Sequence, residues 1–485
     1  MSKILLINPQ FNIKKAKYDS SISVGILCLA SYLDQKGIEV KIIDCVRQNN
    51  FEELLAEEIS QTDFVGLSVM TTQIPSAIEI SIQAKEQNKK VIWGGVHPTL
   101  FPKETVSHLA VDGVVIGEGE EILYQVLTND NWSEVLGLAY QEKDEIMVND
   151  LQPLLDMEGL PLPKWELMPR EILANIDIIP THTSRGCPHR CSFCINQITK
   201  NYWRKNSVQK VLEDIKIIKS KEYFKDKPLR FWDENFFVDF SRAQKIIQGM
   251  IEQDLTLPWE TTVRADYIDI DKINDTFLSE IKKSGCYLLS FGAESGSEVI
   301  LSKLKKDITT KQIINSAKQS LKHDITPQYS FMVGIPGEAK NDIKQTINLI
   351  DQLVKISPQV QILGPQAFRP YPGSELYQEC IKSGWQAPKT LEDWSKVIKD
   401  ELNYLAPKNF LWIKNKNLVE SLEAYVRFGA HSIKSAMGST VSSAKWLKLC
   451  FILICKLRWK LKFFGLPLDY KLAKRFVTGF VQSNN

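Results

Sequence analysis

From residue 3 to about residue 125 the chain alternates short apolar runs with stretches of helical spacing, and this pattern restricts the fold more than any other feature. "KILLINP", "EVKIIDC", "DFVGLSV", "KVIWGG" and "DGVVIGEGE" read as strands. "SVGILCLASYLDQKG", "FEELLAEEIS" and "IPSAIEISIQAKEQN" read as the helices between them. Links this short between strand and helix predict an α/β fold with a doubly wound, Rossmann-like parallel sheet. Ligands of such sheets bind beyond the carboxyl ends of the strands, which here carry "NPQF", "SVMTTQ", "GGVHPT" and "GEGE". Gly94, Gly95 and Gly117 would let backbone approach a bulky ligand, although Gly-ended strands are also simple tight turns and no G-x-G-x-x-G dinucleotide fingerprint is present.

A chain of 485 residues is long for one core. Residues 150–178 hold four prolines without a clear period and read as a linker after a first domain of residues 1–149. A second strand–helix series spans 179–385, with strands expected at "IIPTHTSRGC", "PLRFWDENF", "LPWETTVRAD", "YLLSFGAES", "QYSFMVGIPG" and "QVQILGPQAF". It predicts a full or partial (β/α) barrel with its chemistry at the strands' carboxyl ends. Residues 386–485 form a mainly helical remainder, rich in Trp, Lys and Leu.

"SRGCPHRCSFC" follows the first barrel strand and places Cys187, Cys191 and Cys194 within eight positions. The opening "MSKILLINPQF" is too short for a signal peptide, so a cytoplasmic protein with reduced thiols is expected, and the nine cysteines have no disulfide-framework spacing. Structural zinc usually takes four N/S ligands in two pairs. Here His182 or His189 would have to complete the set. Three thiolates can instead hold a 4Fe-4S cluster with one iron left open.

This C-x3-C-x2-C, with Phe193 before the last cysteine, resembles the signature of the radical SAM superfamily. The resemblance implies a cluster whose open iron is chelated by S-adenosylmethionine, one-electron cleavage to a 5′-deoxyadenosyl radical, and an external electron donor such as flavodoxin or ferredoxin. It extends along the barrel. "FGAESGSE" is similar to a strand end that would set Glu294 on the SAM ribose. "RFWDENF" would bring Asp233, Glu234 and Asn235 near the methionine end, and Arg264 in "VRAD" would sit near the SAM carboxylate. A plain ion pair at the rim is the alternative for Glu294 and Arg264.

Up to about residue 385 the chain resembles the cobalamin-binding radical SAM subgroup, whose N-terminal motifs match "SSISVGILCLASYL", "VGLSVMTT", "GGVHPT" and "VIGEGEE" in order. The resemblance implies cobalamin held between sheet and barrel, touching Gly94, Gly95, Gly117 and Glu118. His97 would contact it or else only shape the turn before Pro98. No D-x-H-x-x-G is present, so no histidine is marked as lower cobalt ligand and base-off binding is expected. The implied activity is a C-methyltransferase acting on a small-molecule or lipid-like substrate. The anaerobic tetrapyrrole cyclases share the layout and supply the alternative enzyme, and a non-catalytic cobalamin-binding protein is the third reading.

A net charge of +2 without a basic arm excludes nucleic acid as the expected partner. "SAKWLKLCFILICKLRWKLKFFG" (443–465) is too interrupted by lysine to span a bilayer. It reads either as a membrane-surface element at the inner face or as a helix packed on the barrel. On a helical wheel Lys445, Lys448, Lys456 and Lys460 share one side, with Arg458 and Lys462 opposite.

Overall fold

A computed structural model of the protein describes residues 3–11, 22–196, 202–269, 271–399, 407–430 and 445–476, with side chains described from 449 to 473 in the last segment. Its first sheet comprises β1 (Lys3–Asn8), β2 (Glu39–Asp44), β3 (Phe64–Ser68), β4 (Lys90–Gly94), β5 (Gly113–Val115), β6 (Leu138–Glu142) and β7 (Glu145–Val148). Their order is β2-β1-β3-β4-β5-β6-β7, and the first five are parallel. The four central residues of β1 are buried, as expected for a strand covered on both faces. β6 and β7 close the edge as an antiparallel hairpin. Its two turn residues, Lys143 and Asp144, both have positive φ, 50° and 68°, the combination that matches a hairpin's twist. The hairpin carries no sequence signature, because Lys-Asp replaces the usual Asn-Gly.

Residues 150–178 cross between the two halves. Lys164 N donates to Ser31 Oγ at 2.8 Å on the first helix, and Trp165 packs edge-on against Phe224 of the barrel at 4.8 Å.

The second sheet runs β8 (Ile179–Thr181), β11 (Leu229–Phe231), β12 (Trp259–Val263), β13 (Cys286–Glu294), β14 (Thr326–Val333) and β15 (Gln361–Ala367), each parallel to the next. Strands of chain-sequential order with helices outside make a partial (β/α) barrel, open between β8 and β15. All six strands fall where the apolar runs put them. A separate two-residue pair, β9 (Ser184–Arg185) with β10 (Arg204–Lys205), brackets the cysteine loop.

One hydrophobic core runs from Ile4 and Leu6 on one face of the first sheet, through the barrel, to Phe451 and Trp459 near the C-terminus. The other face of that sheet has its own core, which Leu391 and Trp394 join from the helix Leu391–Lys399. The helices Lys416–Gly429 and Lys445–Leu461 pack together at Gly429, where a Cβ would stand 2.7 Å from the Cys455 carbonyl oxygen. Among the described residues no helix is long and apolar enough to cross a membrane.

Candidate cofactor site between the two sheets

Three neighbours pin the cysteine loop. Asp233, just past β11, accepts hydrogen bonds from Thr183 N (2.7 Å), Thr183 Oγ1 (2.6 Å) and Ser184 Oγ. Ser192 N donates to the Leu304 carbonyl, and Leu376 N donates to the Ser192 carbonyl. Gly186 has φ +84°, and a Cβ there would lie 1.9 Å from the Tyr202 carbonyl oxygen, so only glycine fits immediately before Cys187. Cys191 is buried, while Cys187 and Cys194 are half-buried. Burial pushes the Cys187 and Cys194 thiols above their ordinary range, so ligation would displace their protons. Among the described residues no three His, Cys, Asp or Glu side chains form a group able to hold a single metal ion. The zinc alternative also lacks its fourth ligand: His189 is bonded to Tyr267 OH at 2.7 Å, and His182 lines a cavity between the sheets. Three cysteines on one pinned loop suit a cluster with an open position.

Beside the loop, β13 shifts register between Gly292 and Glu294, and Glu294 takes φ +62°. This bulge turns Glu294 so that Oε1 accepts from Lys306 Nζ at 3.0 Å. Gly292 is required here, because a Cβ would stand 2.3 Å from Glu294 Oε1 and 2.6 Å from Lys306 Nζ. Burial alone would lower the Lys306 ammonium, but the Glu294 carboxylate and the Cys191 sulfur outweigh it and hold it above its ordinary value. The same ammonium lies 5.7 Å from the centre of the Phe193 ring. The bulge, the glycine and the lysine thus bring Glu294 and Phe193 together at the cluster loop. Arg264 is tied down at the rim, with Nε on Asp266 Oδ1 (2.9 Å) and Nη2 on the Lys306 carbonyl (2.6 Å). Asp233, expected near SAM, spends its oxygens on the loop, and Asn235 donates to Tyr267 OH at 3.1 Å. Glu234 accepts from Gly186 N at 3.2 Å, and burial pushes its carboxyl up.

Above this loop, the strand ends of the first sheet face the barrel across a cavity of about 430 Å³. Gly94, Gly95, Gly117 and Glu118 line one side; Gly186, Glu234 and His182 line the other. At Gly25 and Gly117 an added Cβ would meet nothing within 4 Å, so both leave room for a ligand rather than for a neighbouring side chain. Gly95, at φ +96°, brings its backbone against Val69, where a Cβ would be 2.8 Å from the Val69 nitrogen. A wall of glycine backbone and aliphatic side chains suits a broad, flat ligand, and these residues fit a corrinoid.

His97 is not on this wall. It is fully buried, its Nδ1 lies 3.2 Å from Thr71 Oγ1 and its Nε2 3.6 Å from Glu104, and its ring packs on Phe101 and Trp394. The helical turn that starts at Val96 carries it into the sheet's own core, so its position is the one that shapes the turn. Glu118 does line the cavity, but its carboxylate is held by Arg204 through two contacts, with Arg185 at 3.4 Å. Arg185 in turn pairs with Glu120 at 2.6 Å. These two arginines sit on the strands that bracket the cysteines, so the four charges clamp the first domain to the cluster loop. Sequence reasoning missed Arg185, Arg204 and Lys306; the only signal was their nearness to the cysteines and to "FGAESGSE". His182, which the sequence offers only as a spare zinc ligand, stands at the cavity wall, where burial pushes its imidazole below the ordinary range.

The B12 binding domain family matches residues 11–127, and the Radical SAM superfamily matches residues 181–350. An uncharacterized methyltransferase of Pyrococcus horikoshii is 27% identical over 447 residues, spanning 87% of this chain and 94% of its own. The anaerobic magnesium-protoporphyrin IX monomethyl ester cyclase of Rubrivivax gelatinosus is 23% identical, over 78% of this chain and 70% of its own. The cobalamin-dependent S-adenosylmethionine radical enzyme OxsB, solved with aqua-cobalamin and S-adenosylmethionine bound, shares the fold with a TM-score of 0.69, 18% identity, and coverage of 99% of this chain and 75% of that one. With both domains in the same order, a cavity walled by glycine at the sheet's strand ends, and a three-cysteine loop that starts next to Gly186 on the cavity's other side, the chain belongs to the cobalamin-binding radical SAM enzymes, whose cofactors are a 4Fe-4S cluster, S-adenosylmethionine and cobalamin.

Proposed function

We propose that the protein is a cobalamin-dependent radical SAM C-methyltransferase acting on an unactivated carbon of a small-molecule or lipid-like substrate. One observation carries this reading: Gly186, which precedes Cys187, and Glu234, which accepts from the Gly186 N–H, line the same cavity as Gly94, Gly95 and Gly117. A corrinoid on the glycine wall would therefore share one chamber with the cysteine loop. When bound, the cluster supplies the electron that cleaves SAM to a hydrogen-abstracting radical, and methylcobalamin supplies the methyl group.

The chain's own part is ligation, orientation and exclusion of water. Cys187, Cys191 and Cys194 hold the cluster. Asp233 and Ser192 fix their loop, so the three thiols would be held ready for the cluster. Glu294, aimed by the bulge and steadied by Lys306, presents a carboxylate for the SAM ribose. Phe193, Glu234 and Arg264 surround the same corner. Gly94, Gly95 and Gly117 give the corrinoid a flat wall, and Glu118, with Arg204, closes the cavity edge. An electron donor of the flavodoxin or ferredoxin class belongs to this reading, as do a cytoplasmic setting and a peripheral contact of 443–465 with the inner face of the membrane.

Product analysis tests it. Anaerobically reconstituted, cobalamin-loaded enzyme is incubated with SAM and a metabolite extract of the host. A methylase gives S-adenosylhomocysteine and 5′-deoxyadenosine in equal amounts, plus a product heavier by one CH2. Deoxyadenosine without S-adenosylhomocysteine would favour the cyclase type, which a 23%-identical relative keeps in view. No SAM turnover would leave a cobalamin-binding protein.

A further inference from the structure

The C-terminal region carries a second surface that the cofactor chemistry does not use. The helix Lys445–Leu461 buries Phe451, Ile452, Cys455 and Trp459 against the rest of the protein, with Trp459 Nε1 donating to Asp351 Oδ1 at 3.0 Å. Its opposite side is a row of bare aliphatics: Leu453, Ile454, Leu457 and Leu461 are 50%, 41%, 58% and 65% exposed. Water-facing stripes of helices are normally polar. The corner that follows continues the ridge with Phe463, Leu466 and Leu468. It is a built corner. Arg458 donates to the carbonyls of Phe463 (3.2 Å), Gly465 (2.9 Å) and Leu466 (3.0 Å) and pairs with Asp469 at 2.7 Å. Those bonds hold Leu466 at φ +51°, a conformation unfavourable for a leucine, with its side chain 74% exposed.

Next to the ridge lies an open basin of about 1000 Å³. Among the described residues its lining contains six lysines and four asparagines, and no carboxylate. Lys462 pairs with Asp351, and Lys416 donates to the Lys408 carbonyl. The side-chain ammonium groups of Lys340, Lys344, Lys414 and Lys471, all in this lining, make no hydrogen bond or ion pair among the described residues. The basin continues through Lys414 to Trp412, which donates to the Gly334 carbonyl at the carboxyl end of β14, so this face borders the barrel rim. Uncompensated cations beside a convex apolar ridge match an anionic lipid surface. Its phosphates neutralise the lysines, and its interfacial layer accepts a protrusion that has no complementary groove.

We propose that this face docks on an anionic phospholipid bilayer. Lys340, Lys344, Lys414 and Lys471 meet the headgroups, while Phe463, Leu466, Leu468 and the leucine stripe enter the interface. This deepens the peripheral-contact reading, on which it rests, and is independent of the reaction catalysed. It also moves the contact from the lysines of 443–465 to four lysines brought together from three separate segments.

The test is co-sedimentation of the full-length protein with vesicles of phosphatidylcholine alone or mixed with phosphatidylglycerol. The protein should bind only the mixed vesicles and be released by salt. The variant K340Q/K344Q/K414Q/K471Q should weaken partition about fivefold per lysine, and F463S/L468S should remove it. Both variants should keep the melting temperature and SAM cleavage of the parent. If K445Q/K448Q/K456Q/K460Q abolishes binding and the basin variant does not, the peripheral reading stands and the basin assignment falls. Equal binding to neutral vesicles, or none to either, overturns both. A concentration-dependent dimer that F463S/L468S converts to monomer, with no effect on vesicles, would assign the ridge to a second copy and overturn the proposal.

Discussion

Changing Lys306 to Met removes the ammonium that steadies Glu294. The two side chains are 3.0 Å apart and only 12% and 9% exposed. Losing one partner of a pair this buried leaves the other charge uncompensated, a cost of about 3–5 kcal/mol. Neutralising both ends, as in E294Q/K306M, should recover much of that, because no orphaned charge remains. Gly292→Ala attacks the same pair sterically. Its new Cβ, 2.3 Å from Oε1 and 2.6 Å from Nζ, must part the two groups, and crowding of this kind costs about 1–3 kcal/mol. Since both changes break one contact, G292A/K306M should fall short of the sum of the single losses. Denaturant unfolding of anaerobically reconstituted protein measures the stabilities, and equilibrium binding of SAM measures the site; K306M and G292A should weaken SAM together. A K306M cost below about 1 kcal/mol, or full additivity with G292A, would refute the view that Lys306 and Gly292 act through Glu294.

Gly25 lies in the first turn of the helix Val24–Gln35, where a Cβ meets only the cavity. Gly25→Phe should therefore leave the melting temperature equal or higher, since glycine is a poor helix former by roughly 0.5–1 kcal/mol. It should also release cobalamin on gel filtration; full retention of corrinoid would sink the cavity assignment. Asp214 is buried, and burial, opposed by the Thr181 hydrogen bond and by Lys210, pushes its carboxyl up to about 6 from 3.8. A carboxyl raised in the folded state costs stability as pH climbs from 3.8 to about 6, and the cost stays constant above, here at most about 3 kcal/mol. Asp214→Asn, which can still accept from Thr181, should match the parent's melting temperature near pH 4 and exceed it at pH 7. Equal curves at both pH values would contradict this.

The strands of both sheets could be read from the sequence because parallel strands buried on two faces are unbroken apolar runs, as "KILLIN" shows. The cysteine motif could be read because its spacing is local. What stayed hidden depends on residues far apart in the chain. Glu118 looks like a ligand of the cavity until Arg204, 86 residues later, is seen holding it. Lys306 is invisible as a partner of Glu294 without the bulge that turns the carboxylate back. His97 sits among strand-end residues in sequence, yet its imidazole packs against Trp394, almost three hundred positions away. The lysines picked out on a helical wheel fall partly outside the described side chains, while the unpartnered ones come from other segments.

Trp394 has an implication for the order in which the molecule can be completed. Ribosomes deliver the first sheet long before the helix Leu391–Lys399, yet Leu391 and Trp394, each 1% exposed, are part of that sheet's second core. Until they arrive, the newborn domain keeps an apolar hole beside Phe101 and His97. Once they dock, the chain forms a loop closed on itself: sheet to barrel through Glu118 and Arg204, barrel onward to the helix, and helix back to sheet through Lys399–Glu79. Opening the cofactor chamber by swinging the first domain away would then break two attachments together. An excised 1–150 fragment is therefore expected to be short of its own core as well as of the barrel wall.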